Sequence, residues 1–397
     1  MNADHAAGVD DVGPRRLRIA LVTETFPPEV NGVAMTLGRL ADGLRVRRHC
    51  VEIVRPRQSG DGPRGSRFDE ITVGGLPIPN YHGLRFGLPA TGFLLRRWQK
   101  NPPDIVHVAT EGPLGASAIK AARRLGLPVS STFHTNFDAY SRHYGLAWLK
   151  QPIARYLRRF HDRCDATYVP TRALARELTG QGYRNVGVIS RGVDTRLFNP
   201  ARRSDALRSA WGAKPGDLIV AYVGRIAAEK NLQTVLDAFQ AIRQQQTQAR
   251  LVFVGDGPLR KSLASRHPEH IYTGMRHGED LAAHYASADL FLFPSLTETF
   301  GNATAEALAS GLCVVAYAQA AAAELIEDGS NGALAPAGDG AAFAALATRL
   351  AGDPSLLATK RARAAASVAQ LDWERIHEAF AAALSGLVTA GPGRASP

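Results

Sequence analysis

The 397-residue chain is long enough for two domains, and its 45% content of hydrophobic residues can fill two cores. Its 47 lysine and arginine residues exceed its 36 aspartate and glutamate residues, which suits an anionic substrate, an anionic membrane surface or nucleic acid. Cys50, Cys164 and Cys313 are isolated, which argues against a disulfide framework or a structural zinc site. No segment has the apolar length of a signal peptide or a membrane span, so we expect a cytoplasmic protein with disordered ends at residues 1–16 and 391–397.

The ordered part of the chain opens with a strand, a loop and a helix of the nucleotide-binding type. A buried strand is predicted over Leu17–Thr23 and a helix over about Val33–Val46. The loop between them carries Asn31-Gly32 but no G-x-G-x-x-G pattern, so a dinucleotide is not indicated. These two residues are either a simple turn or a ligand contact, and both interpretations stay open.

Two later segments of the first half are candidates for contact with a bound molecule. Leu76–Pro89 is predicted to lack regular structure because it contains many proline and glycine residues, and we interpret it as an acceptor loop. A strand over Val129–Phe133 is followed by His134. A histidine at the carboxyl end of a parallel strand either faces a cleft or has a structural role, and the sequence permits both.

Tyr144–Arg163 has apolar residues at helical spacing, with arginine and lysine in the remaining positions. One interpretation is a helix that packs on the core and exposes a solvated basic face. The other is a surface that contacts anionic lipid, which would attach the protein peripherally to the inner face of the plasma membrane.

A basic loop opens the second half of the chain. Arg202–Gly216 is predicted to be a polar hinge, and the strand Leu218–Val223 follows it. Arg225 lies just past this strand, and Lys230 lies at the start of a helix that is predicted to end near Gln245. A guanidinium fork and an ammonium charge beside loop N–H groups suit two phosphates, although ordinary surface bases would have the same sequence.

The stretch Phe293–Gly311 predicts an anion site between a strand and a helix. The helix is expected over about Asn302–Ser310, and its unpaired N–H groups carry the positive partial charge that binds phosphate. Glu298 lies in the loop before the helix and Glu306 lies inside it, so the two carboxylates can reach different parts of one ligand. This arrangement favours a sugar phosphate over a metal centre. The alternative is that Glu298 caps the helix and Glu306 is solvated.

Six motifs in order resemble those of the retaining, nucleotide-sugar-dependent glycosyltransferases of family 4. They are P-P-x-V-N-G-V (Pro27–Val33), F-H-T-x-F (Phe133–Phe137), R-G-V-D-x-x-x-F (Arg191–Phe198), G-R-I-A-x-E-K-N (Gly224–Asn231), V-G-D-G-P (Val254–Pro258) and E-T-F-G-N-A-T-A-E (Glu298–Glu306). The resemblance covers residues 17–388 and implies the α/β GT-B fold, with two Rossmann-like domains facing each other across a cleft. It implies an acceptor-side domain over residues 17–200, a nucleotide-sugar domain over 201–372, and a helix over 373–390 that crosses back to the first domain.

The resemblance also implies roles for individual residues. Arg225 and Lys230 would hold the donor diphosphate, Glu298 would bind sugar hydroxyls and Glu306 would bind the ribose. His134 would face the donor sugar near the reacting carbon, so the implied catalytic residues are His134, Glu298, Arg225 and Lys230. The remaining donor-binding residues would be Gly32, Met275, Thr299, Phe300 and Gly301.

Members of the family need no metal, and the chain has no D-x-D triplet, so neither a metal nor another cofactor is expected. Charge on the leaving diphosphate would instead be stabilised by Arg225, Lys230 and the helix N-terminus. No residue is an evident protein nucleophile, which favours assistance by the leaving phosphate. One departure concerns Ala321-Ala322, where many members have two glycines, so donor contacts there differ from the family pattern.

The motifs F-H-T-N-F-D-A-Y-S-R-H-Y and R-G-V-D look most like those of GDP-mannose-dependent α-mannosyltransferases and sulfoquinovosyl-diacylglycerol synthases. The preferred prediction is transfer of mannose from GDP-mannose to a glycan or lipid-linked acceptor, with a UDP-sugar as the alternative donor. An epimerase-like reaction and a non-enzymatic basic binding module are further alternatives. A nucleic acid partner is not expected because clustered bases interleaved with aromatic residues are confined to Tyr144–Arg163.

Overall fold

The structure is a computed structural model that describes residues 15–29, 31–58, 67–77, 85–133 and 150–391. Its strands are β1 (Arg18–Val22), β2 (Cys50–Pro56), β3 (Asp69–Val73), β4 (Gly75–Pro77), β5 (Arg85–Gly87), β6 (Ile105–Val108), β7 (Val129–Thr132), β8 (Ala166–Val169), β9 (Val186–Val188), β10 (Ile219–Val223), β11 (Arg250–Val254), β12 (Ile271–Gly274), β13 (Leu290–Phe293), β14 (Cys313–Tyr317) and β15 (Gly332–Ala335).

Helices alternate with these strands along the chain. They are α1 (Gly32–Val46), α2 (Thr91–Lys100), α3 (Pro113–Arg124), α4 (Lys150–His161), α5 (Arg172–Gly180), α6 (Asp205–Ala210), α7 (Leu232–Gln245), α8 (Arg260–Arg266), α9 (Gly278–Ala286), α10 (Asn302–Ala309), α11 (Ala320–Leu325), α12 (Gly340–Gly352), α13 (Pro354–Ser367) and α14 (Trp373–Ala390). Among the described residues, no helix combines the length and the apolar character needed to cross a membrane.

The strands form two large sheets. The first sheet has seven strands in the order β3-β2-β1-β6-β7-β8-β9, and the second has six in the order β12-β11-β10-β13-β14-β15. The strand pairs of the second sheet are parallel, and β10, β13 and β14 are buried along their whole length. Their runs of valine, leucine and phenylalanine suit strands that are covered by helices on both faces. The expected α/β class with two parallel-sheet domains is confirmed.

The chain divides into two compact units. The first contains the described residues up to Thr132, Arg163–Ala166 and those from Phe380 onward, and the second contains Phe133–Asp162 and Thr167–Ala379. The first therefore holds β1 to β7 and the second half of α14. Within it, the ring of Phe380 lies edge-on to the ring of His107 in β6, with 4.9 Å between the ring centres. The division does not coincide with the predicted domain limits, which remain a prediction.

The segment Leu76–Pro89 contains regular structure, so the prediction of none was wrong for its described part. Strands β4 and β5 pair in antiparallel fashion, and Leu76 lies directly opposite Phe86. Gly87, one of the glycines that suggested irregularity, is instead a site of close packing. A side chain at Gly87 would place its Cβ 2.7 Å from Cβ of Leu114, which is closer than two carbon atoms can approach.

A buried carboxylate fixes this hairpin to the first sheet. Glu24 follows β1, and its side chain accepts hydrogen bonds from the N–H groups of Gly87 and Leu114, the latter at 3.2 Å. Burial raises the pKa of Glu24 to about 7, although both hydrogen bonds act in the opposite direction. One side chain thus links the end of β1, the hairpin and the start of α3.

The prediction of a polar hinge over Arg202–Gly216 was also wrong. The segment contains α6, and Arg208 within it is 7% exposed. Arg203 and Arg208 donate to the carboxylate of Asp289 at 2.9 and 3.0 Å, and Arg361 lies 3.0 Å from the same carboxylate. Two of the basic residues that gave the segment its polar character, Arg203 and Arg208, are therefore paired inside the second unit.

The described part of Tyr144–Arg163 is a helix that packs on a core. In α4, Leu157 is buried with Val169 and Tyr183, while Arg155, Arg158 and Arg159 are exposed. This geometry agrees with the interpretation of a core-facing helix with a solvated basic face. Residues 144–149 lie outside the described residues.

Candidate active site

Two loops of the second unit leave neighbouring parallel strands at the same edge of the sheet. One runs from Gly224 to Asn231 after β10, and the other runs from Pro294 to Gly301 after β13. Strand β10 pairs with β13 on one side and with β11 on the other, so the strand order reverses at this point. Open parallel sheets bind their ligands at such a switch point, beyond the carboxyl ends of the strands.

Lys230 and Glu298 join the two loops. The Lys230 ammonium donates to Oε1 of Glu298, and the Ser295 hydroxyl donates to the same oxygen at 2.9 Å. Burial alone raises the pKa of Glu298, but the charge and hydrogen bond of Lys230, with smaller effects of Ser295 and Arg191, lower it overall. Glu298 is therefore a carboxylate at neutral pH. The Glu298 carboxylate accepts its hydrogen bonds from Lys230 and Ser295 rather than from the N–H groups of α10, so the interpretation of Glu298 as a helix cap was wrong.

Arg191 is a third cation of this site, and the sequence analysis did not select it. The residue is 8% exposed, and its guanidinium lies over the Phe300 ring, 5.9 Å from the ring centre. Burial lowers the pKa of Arg191 to about 10, while the charge of Glu298 opposes that shift. Arg191 opens the R-G-V-D motif, but that motif was used only to establish the family resemblance, and no role was assigned to Arg191.

The Arg225 side chain is hydrogen-bonded to the buried Glu229 and remains partly exposed to solvent. Its Nη1 donates to Oε1 of Glu229 at 3.0 Å, and its backbone carbonyl accepts the Tyr222 hydroxyl at 3.0 Å. The Arg225 side chain is 40% exposed, whereas that of Glu229 is 3% exposed. Since a guanidinium has five N–H donors, Arg225 can keep this anchor and still bind a phosphate.

The start of α10 supplies the expected anion-binding end of a helix. Gly301 occupies the N-cap with φ of 91°, a conformation that favours glycine. A small, open pocket lies beside it and is lined by residues that include Ser295, Glu298, Phe300 and Thr304. Backbone N–H groups, a carboxylate and hydroxyls thus meet at one place, which suits a phosphorylated sugar.

Glu306 lies one turn further along α10 and is not a solvated helix residue. Its Oε2 accepts the Tyr285 hydroxyl at 2.9 Å, and the Glu306 residue is only partly exposed. Burial raises the pKa of Glu306 to about 6, and the hydrogen bond from Tyr285 moderates that rise. The carboxylate has a second oxygen that can accept hydrogen bonds from hydroxyl groups.

The alanines after β14 border the same pocket. Ala320 and Ala322 line it, whereas Ala321 is fully buried and donates its N–H to the Phe300 carbonyl at 2.8 Å. Backbone strain is found at Ala320, which has φ of 50° although it is not glycine. Ala320, the position that a glycine would suit, is therefore adjacent to the Ala321-Ala322 pair that was identified from the sequence.

Replacing Ala320 with glycine is expected to stabilise the protein by about 1 kcal/mol, because glycine adopts a positive φ without the steric cost that alanine incurs. Ala323→Gly is the matched control, since Ala323 is exposed inside α11 and the same change there removes helix propensity. Urea unfolding of both variants measures the effect. A stability decrease in Ala320→Gly as large as in the control would contradict the prediction.

The remaining predicted residues are placed as follows. Thr299 is partly exposed and Phe300 is buried in the loop before α10. Met275 follows β12 with 51% exposure, and Gly32 starts α1 in the first unit. Among the described residues beyond its chain neighbours and its own helix, no atom lies within 4 Å of a Cβ built on Gly32. Asn31 accepts hydrogen bonds from the N–H groups of Val33 and Ala34 and caps that helix. His134 lies outside the described residues.

Across the described ranges, one group of three side chains has the spacing of metal ligands. The ligand atoms of His267, Glu269 and His270 all lie within 4.8 Å of one another. These residues precede β12, at the edge of the sheet opposite the two loops. They are not part of the site around Lys230 and Glu298.

The two parallel sheets have the GT-B fold. A sucrose-phosphate synthase of Thermosynechococcus elongatus superimposes with a TM-score of 0.77 and 19% identity, over 95% of this chain and 100% of that one. The model of Glycosyltransferase Family 4 matches residues 30–197, and that of Glycosyl transferases group 1 matches residues 217–353.

Two curated relatives are similar over most of the chain. A GDP-mannose-dependent alpha-mannosyltransferase of Corynebacterium glutamicum is 34% identical over 330 residues, which are 81% of this chain and 77% of the relative. Sulfoquinovosyl transferase SQD2 of Arabidopsis thaliana is 30% identical over 334 residues, which are 81% of this chain and 64% of the relative. The chain belongs to glycosyltransferase family 4 (group 1), and the resemblance inferred from its motifs is confirmed.

Proposed function

We propose that the protein transfers mannose from GDP-mannose to a lipid-linked or glycan acceptor, with retention of configuration and without a metal. The observation that carries this proposal is the meeting of Lys230 and Glu298 at the switch point of the second sheet, beside the accessible Arg225. The choice of donor is supported by the similarity to the GDP-mannose-dependent enzyme of Corynebacterium glutamicum. A lipid-linked acceptor is supported by the similarity to an alpha-monoglucosyldiacylglycerol synthase of Streptococcus pneumoniae, which is 31% identical over 333 residues.

The cations and the helix N-terminus stabilise the leaving group. Breaking the bond between the sugar and the diphosphate places negative charge on the departing phosphate. Lys230, Arg225 and the first N–H groups of α10 are already positioned near one another, so little reorganisation is needed when that charge develops. An ammonium has three donors, and Lys230 can contact the diphosphate while it keeps Glu298 as a partner.

The carboxylates orient the donor. Glu298 is ionised and accepts hydrogen bonds from sugar hydroxyls, and Glu306 accepts hydrogen bonds from the ribose. Retention requires the acceptor to attack from the face that the diphosphate leaves, and the leaving phosphate itself takes the acceptor proton. Such a reaction needs no protein nucleophile and no metal.

Thermal unfolding in the presence of nucleotides tests the donor. We expect GDP and GDP-mannose, but not UDP or UDP-glucose, to raise the melting temperature, with and without EDTA. At a ligand concentration of about 100 Kd, the native state gains about 2.7 kcal/mol. Arg225→Ala should abolish the shift. Arg243→Ala is the control because Arg243 is an exposed arginine of α7 in the same unit.

The outcomes of this experiment distinguish between donors, between a metal-dependent and a metal-independent mechanism, and between the presence and absence of the donor site. A shift produced by UDP alone would overturn the GDP-mannose assignment and keep the transferase class. A shift that EDTA abolishes would overturn the metal-independent mechanism. The absence of any shift would contradict a donor site at Lys230 and Glu298.

A further inference from the structure

Four large apolar side chains of the first unit, all between positions 76 and 93 of the chain, are exposed. Leu76 is 59% exposed, Phe86 and Leu88 are 44% exposed, and Phe93 is 43% exposed. We call this set the hairpin surface. None of these four residues is assigned above to donor binding or catalysis.

The geometry of the hairpin places its three apolar residues on one face. Leu76 and Phe86 are directly opposite in the antiparallel pair of β4 and β5, so their side chains share a face. Leu88 is two residues past Phe86, which returns it to that face. Gly87, between them, is buried against Leu114 on the other face. Phe93 follows in the first turn of α2.

The hairpin is anchored in a way that keeps this face exposed. The Glu24 carboxylate accepts the Gly87 N–H, and the Leu88 N–H donates to the Gly74 carbonyl at 2.7 Å. The apolar side chains are therefore presented by backbone that is bonded to the sheet. Contiguous apolar groups that a fold holds in water mark an interaction site.

The charge next to the hairpin surface is basic. Helix α2 has no acidic residue, and it buries Leu94 and Trp98 on its inner side. Phe93, Arg96 and Lys100 are all exposed, and their spacing of three and four residues places them on one side of the helix. Arg97 instead points to Glu52, to which it donates at 2.7 Å. Leucine and phenylalanine beside outward lysine and arginine are typical of a surface that lies on anionic lipid.

We propose that the hairpin surface docks on an anionic lipid bilayer, with Leu76, Phe86, Leu88 and Phe93 entering the interface and Arg96 and Lys100 contacting lipid phosphates. This proposal rests on the proposed function, because a lipid-linked acceptor is reached at a bilayer. It assigns the membrane contact to the first unit's hairpin and α2 rather than to α4, in which Leu157 and Phe160 are buried and Tyr156 is 45% exposed.

Vesicle flotation of the full chain tests the proposal. Vesicles of phosphatidylcholine mixed with phosphatidylglycerol should bind the protein, and vesicles of phosphatidylcholine alone should not. The double variant Leu76→Ser/Phe86→Ser should bind the anionic vesicles at least about tenfold more weakly because less apolar area enters the interface. Arg96→Gln/Lys100→Gln should weaken binding and reduce its dependence on salt. Val46→Ser, at a residue that is 69% exposed on α1, is the matched control and should bind like the unaltered protein.

Three results would overturn the proposal. They are the absence of flotation, equal flotation of the Leu76→Ser/Phe86→Ser variant, and a concentration-dependent dimer in solution that this variant abolishes. The last result would assign the hairpin surface to a second copy of the chain. The GDP-induced thermal shift is measured on every variant. A variant that keeps this shift is folded and binds donor, so a failure of membrane docking is distinct from a failure of the proposed function.

Discussion

Replacing Lys230 with alanine is expected to lower kcat/KM for the donor about 10³-fold. The change removes a positioned cation where charge develops on the leaving phosphate, a loss that costs about 10²- to 10³-fold in other preorganised sites. It also leaves the Glu298 carboxylate without its first partner, next to an incoming diphosphate of the same sign. The affinity for GDP should fall as well, and steady-state kinetics with calorimetric titration of GDP measure both effects.

A substitution of Glu298 distinguishes the role of this carboxylate from that of Lys230. In Glu298→Gln the cations Lys230 and Arg191 lose a negative neighbour, so GDP should bind at least as tightly while sugar transfer falls. Lys261→Ala is the control, since Lys261 is exposed on α8 of the same unit. Equal losses of GDP affinity in Lys230→Ala and Lys261→Ala would exclude a role for Lys230 in holding the diphosphate.

The second large effect is expected in the pH dependence of donor use. Glu306 has a pKa of about 6, and in its proposed role it must be ionised to accept hydrogen bonds from both ribose hydroxyls. Below that pH its protonated form becomes a donor, so kcat/KM for GDP-mannose should fall about tenfold per pH unit. Tyr285→Phe removes the hydrogen bond that lowers this pKa, and the inflection should move upward by about one pH unit.

A pH profile of kcat/KM on both proteins measures the shift. Tyr272→Phe serves as the control because the Tyr272 hydroxyl donates to backbone carbonyls of Leu263 and His267 and not to Glu306. The assignment of the ionising group to Glu306 fails if Tyr285→Phe keeps the inflection where it is, or if the control moves it equally.

The sequence predicted the parallel sheets well because buried parallel strands have a plain signature. Leu218–Val223 was predicted as a strand, and β10 runs from Ile219 to Val223. Because both residues follow parallel strands, the sequence also indicated that Lys230 and Glu298 lie at the same edge of the second sheet, although 68 residues separate them. It could not show that they bind each other, because pairing depends on loop geometry rather than on strand order.

The failures have equally specific causes. Composition suggested an irregular loop at Leu76–Pro89. Gly87 instead lies in a strand, at a position where a larger side chain would collide with Leu114, and the neighbouring Gly75 is packed as closely. Arg203 and Arg208 suggested a polar hinge because the sequence does not reveal their partner Asp289, which is more than 80 residues away. Arg191 was missed because a buried guanidinium over an aromatic ring leaves no periodic signal.

The contact between Lys230 and Glu298 has a consequence for turnover. In the resting enzyme the Lys230 ammonium already has the Glu298 carboxylate as its counter-charge, so a bound diphosphate would share the ammonium with that carboxylate. When the sugar has been transferred, GDP departs and Glu298 again supplies a complete counter-charge to Lys230. Because Lys230 regains Glu298 as its partner, the proposed mechanism limits how tightly GDP is retained after transfer. Glu298, the proposed ligand of the sugar hydroxyls, is therefore also expected to assist product release.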